Sequence, residues 1–112
     1  MTNPTLMSER LELLSWSGCP SHHAALTRLG EILTDIGHQS EPIHVRWIET
    51  EEDAKEYRFI GSPSIRVDGL EVIPASDPTG FGLGCRVYRT REGRFSPLPD
   101  RDELREQLEK ML

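Results

Sequence analysis

The feature that most constrains this chain is a change of hydrophobic period across Ser17-Gly18-Cys19-Pro20. Before it, Leu11-Glu12-Leu13-Leu14-Ser15-Trp16 is a short, mostly apolar run of the kind that forms a core strand. After it, Ala25, Leu26, Leu29, Ile32, Leu33 and Ile36 recur at three- and four-residue spacing, which puts them on one stripe of a helix that stops near Gly37. Pro20 suits the first turn of that helix, because the amide it lacks is one that a helix start leaves unpaired. A strand that turns into a helix within four residues points to an α/β domain.

The remaining segments extend the same alternation. Ile43-His44-Val45-Arg46-Trp47-Ile48 alternates apolar and polar residues, with the β-branched and aromatic ones inward, as in a half-buried strand. Thr50-Glu51-Glu52-Asp53 gives a hydroxyl cap with acids in the first turn, opening a short helix through Ala54 and Tyr57. Strands joined by a helix are normally parallel with a right-handed crossover, so the turn at Ser17–Pro20 falls at the carboxyl edge of the sheet, where open α/β sheets place their sites. Asp68-Gly69 then separates Ser64-Ile65-Arg66-Val67 from a returning strand through Ile73, a strong hairpin signal that makes the second half of the sheet antiparallel. Pro63 stands at the entrance of that hairpin, where a missing N–H is tolerated.

Pro74 to Gly84 reads as one long loop, a length associated with binding or lid segments. Cys85-Arg86-Val87-Tyr88-Arg89-Thr90 reads as a further strand, with Arg91-Glu92-Gly93 as its turn. Pro99-Asp100 caps a final helix, Glu103 stands at capping-box spacing, and Leu104, Leu108 and Met111 form its apolar stripe. With 112 residues, one domain spanning 1–112 is expected, residues 1–8 being a flexible N-terminus. The net charge of -6 offers no basic patch and argues against nucleic-acid backbones and anionic membrane surfaces. No stretch reads as a signal peptide or a membrane span, so a cytoplasmic location is expected, and in that compartment two cysteines are reactive, redox-cycling or metal-binding rather than a permanent staple.

Cys19 is the candidate nucleophile. Placed at a helix start, it faces unpaired backbone N–H groups and the positive end of the helix dipole, both of which favour a thiolate. His22 and His23 stand close by in sequence, as possible acids or tuning groups for the thiol, or as solvated surface residues. Cys19, His22, His23 and Cys85 also have the donor chemistry of a soft N/S metal site, although a closed site needs four converging ligands. Trp16 and Trp47 read as core or site wall, Arg66 and Arg86 as attractors of an anionic thiol or as strand-surface charges, and His38 and His44 as surface.

Taken together, Gly18-Cys19-Pro20 opening a helix, the β-α unit after it, Gly61-Ser62-Pro63-Ser64 entering a hairpin, and a terminal helix resemble the thioredoxin-like family. The resemblance covers residues 9–73 and 99–112. It implies a mixed sheet in the order β-α-β-α-β-β, with one or more extra C-terminal strands and a C-terminal helix. It further implies that Cys19 is the reactive thiol, shaped by Gly18, Pro20 and His22. Pro63 is then cis beside it, and the backbone of Ser62 pairs with an extended thiol-bearing substrate. The chain departs from the family's Cys-x-x-Cys, since Cys19-Pro20-Ser21-His22 puts a histidine where the second thiol belongs. A resolving thiol must then come from Cys85 or from outside.

Gly84-Cys85-Arg86-Val87-Tyr88 adds a resemblance to small bacterial thioredoxin-like proteins labelled as relatives of alkylmercury lyase. That label implies thiolates gripping mercury, with an acid such as Asp68 or Asp77 protonating the carbon leaving group. Two functions are thus expected in competition: thiol–disulfide exchange with a protein or small-thiol substrate and no cofactor, or a non-catalytic module holding a soft metal or a partner's thiol.

Overall fold

The computed structural model describes residues 10–75 and 80–112. The described residues form a mixed α/β structure with a four-stranded sheet, a separate two-stranded one and three helices. In chain order these are β1 (Leu11–Ser15), α1 (His22–Asp35), β2 (Ile43–Trp47), α2 (Glu51–Glu56), β3 (Ser64–Val67), β4 (Leu70–Glu71), β5 (Tyr88–Arg89), β6 (Phe95–Ser96) and α3 (Arg101–Met111). The main sheet runs β2-β1-β3-β4. β1 lies parallel to β2, from Leu11 opposite Ile43 to Ser15 opposite Trp47, and antiparallel to β3, from Leu11 opposite Val67 to Leu14 opposite Ser64.

The alternation along β1 sorts the core into two layers. Leu11 and Leu13 pack with Ala25, Leu29, Ile32 and Leu33 of α1 and with Leu104 and Leu108 of α3. Leu14, pointing the other way, meets Ile48, Ala54 of α2 and Phe59. Helices therefore cover both faces of β1, and each fully buried leucine contributes about 1.5–3 kcal/mol by leaving water. β2 is an edge strand, so Trp47 stays 48% exposed while Ile48 is buried.

Local chemistry fixes the ends. The Thr50 hydroxyl accepts from the Asp53 N–H at 3.0 Å and starts α2. Asp68 and Gly69 both take positive φ, 52° and 82°, as a tight two-residue hairpin turn requires. The returning strand is shorter than expected, ending at Glu71, after which the Val72 N–H reaches back to the Ile65 carbonyl at 2.9 Å.

Three expectations are corrected here. α1 opens at His22 with Ser21 as its N-cap, so Pro20 and Cys19 precede the first turn and Cys19 lies two residues outside the cap. The segment after the loop does not form one strand over 85–90. Cys85 makes only an isolated bridge to Ser62, and β5 pairs with β6 in a separate two-stranded sheet. The capping box of α3 is half made: the Asp100 carboxylate accepts from the Glu103 N–H at 3.1 Å, but the Glu103 carboxylate turns to Arg91, 2.8 Å away.

Candidate functional site

The end of β1 builds one arm of the site. Past Ser15 the chain makes a turn closed by the Cys19 N–H donating to the Trp16 carbonyl at 2.9 Å. Ser17 fastens the turn to the end of β2, its N–H and hydroxyl donating to the Glu49 carboxylate at 3.0 and 2.8 Å. Gly18 is required by close approach, because a Cβ there would stand 2.6 Å from the Trp16 ring. The result holds Cys19 at the carboxyl edge of the sheet, 7% exposed.

Pro63 and Ser62 form the floor. The Ser62–Pro63 bond is cis, and Ser62, Pro63 and Ser64 are buried. The Ser62 hydroxyl accepts from the Trp16 N–H at 3.1 Å, which ties this loop to the Cys19 turn, and the Ser64 hydroxyl donates to the Gly61 carbonyl at 2.6 Å.

The second arm is the segment 82–88, which returns to the same edge. The Gly82 N–H donates to the Phe59 carbonyl at 3.1 Å, the Ser62 N–H to the Gly84 carbonyl at 2.8 Å, and the Arg86 N–H to the Ser62 carbonyl at 2.8 Å. Ser62 thus gives both its backbone groups to a parallel bridge with Cys85. Gly61, at φ 135°, permits the approach, since a Cβ there would meet the Arg86 backbone at 3.0 Å.

This bridge brings Cys85 to Cys19. Both cysteines are unbridged, Cys19 buried and Cys85 exposed. Loss of water around its sulfur, then the charge and hydrogen-bonding influence of the Cys19 thiol, push the Cys85 thiol above its ordinary range. Cys85 therefore holds its proton next to Cys19.

Arg86 and Tyr88 clamp this arm from inside. Arg86 is 6% exposed and donates to the Glu71 carboxylate and the Tyr88 hydroxyl, each at 3.2 Å, and to the Ile73 carbonyl. Its guanidinium lies over the Tyr88 ring, 4.2 Å from the centroid, and the Tyr88 hydroxyl donates to the Pro63 carbonyl at 2.5 Å. Burial raises the Tyr88 hydroxyl well above its usual range, so it remains a donor. Arg66 grips the other Glu71 oxygen at 2.5 Å and reaches the Tyr57 and Arg58 carbonyls at the end of α2, at 2.7 and 2.9 Å. Neither arginine is a strand-surface charge; both are spent on structure, Arg66 through its cross-strand partner Glu71 in the hairpin and Arg86 through the same carboxylate from fifteen residues away.

His22 faces the strand-to-helix junction between β1 and α1. Its Nδ1 lies 2.6 Å from the buried Ser15 hydroxyl, and its ring packs on Trp47 with centroids 4.4 Å apart. Burial, then the neighbouring His23, lower its pKa from 6.5, which favours the neutral ring. Trp47 is thus a wall over His22, and Trp16 a half-buried wall against Gly18. His38 and His44 are half-buried instead of fully exposed.

The metal and lyase expectations fare differently. Among the described residues no three His, Cys, Asp or Glu side chains converge as metal ligands, so Cys19, His22, His23 and Cys85 do not form a closed N/S set. Asp68 pairs with Arg10 at 3.1 Å in the hairpin turn beyond Val67, at the end of the sheet opposite Cys19, which removes it as an acid for the thiols. Asp77 lies outside the described residues, as does part of the Pro74–Gly84 loop. A hollow of about 800 Å³ lined by Leu70, Pro74, Phe81 and Met111 is not lined by either cysteine. No described helix is long and apolar enough to cross a membrane. Comparison with protein-family models, curated proteins and solved structures finds no match to this chain.

Proposed function

We propose that this chain is a thiol–disulfide redox protein of thioredoxin-like architecture whose working couple is Cys19 and Cys85. The observation that carries the reading is the Ser62–Cys85 bridge, which sets the second thiol beside the first. The cis Ser62–Pro63 bond at the floor and the order strand, helix, strand, helix, hairpin and terminal helix support the architecture. In the oxidising direction Cys19 attacks one sulfur of an external disulfide, whose S–S bond breaks, and the departing thiolate takes a proton. Cys85, which kept its proton until then, gives it up and attacks the Cys19 sulfur of the mixed disulfide. The second external thiol leaves, and the Cys19–Cys85 disulfide forms. Two electrons and two protons pass from the protein to the external disulfide. An external thiol attacking the exposed Cys85 side, followed by a second equivalent, restores the starting state.

Mass spectrometry of the chain treated with oxidised glutathione, without added reductant, tests this. Loss of two hydrogens with a Cys19–Cys85 linked peptide is expected, and Cys85→Ser is expected to stop at a glutathione adduct on Cys19. A wild-type chain that stays reduced, or carries glutathione on both cysteines with no internal link, overturns the reading.

A further inference from the structure

We infer that the substrate of this couple is a low-molecular-weight disulfide and not a cystine held in an extended polypeptide, an inference that rests on the function just proposed. Cys19 is almost covered, 7% exposed, and its turn is tied through the Trp16 N–H to the Ser62 hydroxyl, so the edge that a peptide laid against this turn would meet is the Ser62 backbone. That backbone is taken. Its N–H donates to Gly84 and its carbonyl accepts from Arg86, both at 2.8 Å, so the chain has laid its own segment along this edge.

The segment is also hard to displace. Arg86 and Tyr88 anchor it on Glu71 in the hairpin, on the Ile73 carbonyl just after it and on the Pro63 carbonyl just before it. A polypeptide approaching Cys19 has to break two backbone hydrogen bonds, or leave its own N–H and C=O groups unpaired against a covered surface. A small disulfide such as hydroxyethyl disulfide carries no backbone amides to pair and needs access only to sulfur. The exchange itself is the one written above, with the small disulfide as oxidant and a small thiol as reductant.

The test compares two oxidants on the reduced full-length chain: hydroxyethyl disulfide, and a ten-residue peptide with a mixed disulfide to mercaptoethanol at its centre. Formation of the Cys19–Cys85 disulfide is followed by quenched mass spectrometry. The small disulfide is expected to react roughly tenfold faster or more, the rate equivalent of two net backbone hydrogen bonds. Tyr88→Phe, which frees the segment from Pro63, is expected to narrow that ratio by raising the peptide rate. Equal rates in the wild-type chain, or a faster peptide, overturn the inference and leave the redox couple standing. Failure of both oxidants to give an internal disulfide removes the couple, and the inference with it.

Discussion

Cys19 and Cys85 arrive at the same place on supports of opposite kinds. The Cys19 arm hangs from β1, a five-residue strand paired on both sides and buried under helices on both faces. The Cys85 arm belongs to no strand of the main sheet; a bridge to Ser62, the Gly82 and Leu83 N–H groups on Phe59 and Glu51, and the side chains of Arg86 and Tyr88 hold it. Regular secondary structure spreads its support over many small terms, whereas a clamp concentrates it in a few buried polar contacts. The second arm should therefore be easier to break by one substitution and its release easier to detect.

Arg86→Ala gives the largest expected effect. It leaves Glu71 with only Arg66 and the Tyr88 hydroxyl without a donor, and leaving a buried polar group unsatisfied costs about 1–3 kcal/mol. Urea unfolding is the measurement, and a loss under about 1 kcal/mol, the range of an exposed ion pair, would show that the clamp does not hold this arm.

The Cys19 arm is probed more gently through pH. Because His22 is held below its ordinary pKa of 6.5, the unfolded chain takes up that proton first as pH falls. Its effect on stability is nil above 6.5, grows as pH drops below that value, and levels off once the folded His22 protonates as well. Urea midpoints measured across this window are expected to fall in the wild-type chain and to fall less in His22→Gln; parallel curves would contradict the burial of a neutral ring against Ser15 and Trp47.

The smallest effect concerns the contact between the arms. Cys19→Ala removes the charge and hydrogen-bonding influence that Cys19 exerts on Cys85 and leaves only the desolvation. Iodoacetamide is then expected to alkylate Cys85 at lower pH than in the wild-type chain. An unchanged profile would mean that the two thiols do not sense each other in solution.

The same contrast explains what was legible beforehand. β1, α1, the Thr50 cap and the Asp68-Gly69 turn depend on neighbours within a few residues, and the period and turn chemistry of the sequence state them directly. The Cys85 arm depends on partners far away along the chain. There the usual alternation is inverted, Arg86 and Tyr88 turning inward while Val87 is 66% exposed, because Glu71 and the Ile73 carbonyl satisfy the guanidinium. Nothing in Cys85-Arg86-Val87 announces such partners. Glu103 misleads for a similar reason: its spacing from Asp100 fits a capping box, but Arg91 competes for the carboxylate. The helix start shows the limit of local signals too, since Pro20 suits a first turn, yet Ser21 takes the cap position.

The shortness of β4 has a consequence for the molecule among its neighbours in solution. An outermost strand with open backbone groups invites another chain to add itself, and its length sets how firmly that chain can hold. Here the sheet ends in two residues, Leu70 and Glu71, before Val72 folds its N–H back onto Ile65. Glu71 also carries a charge already engaged by two arginines. On this side the sheet offers too little edge to template its own aggregation, even though Leu70 is left in the open.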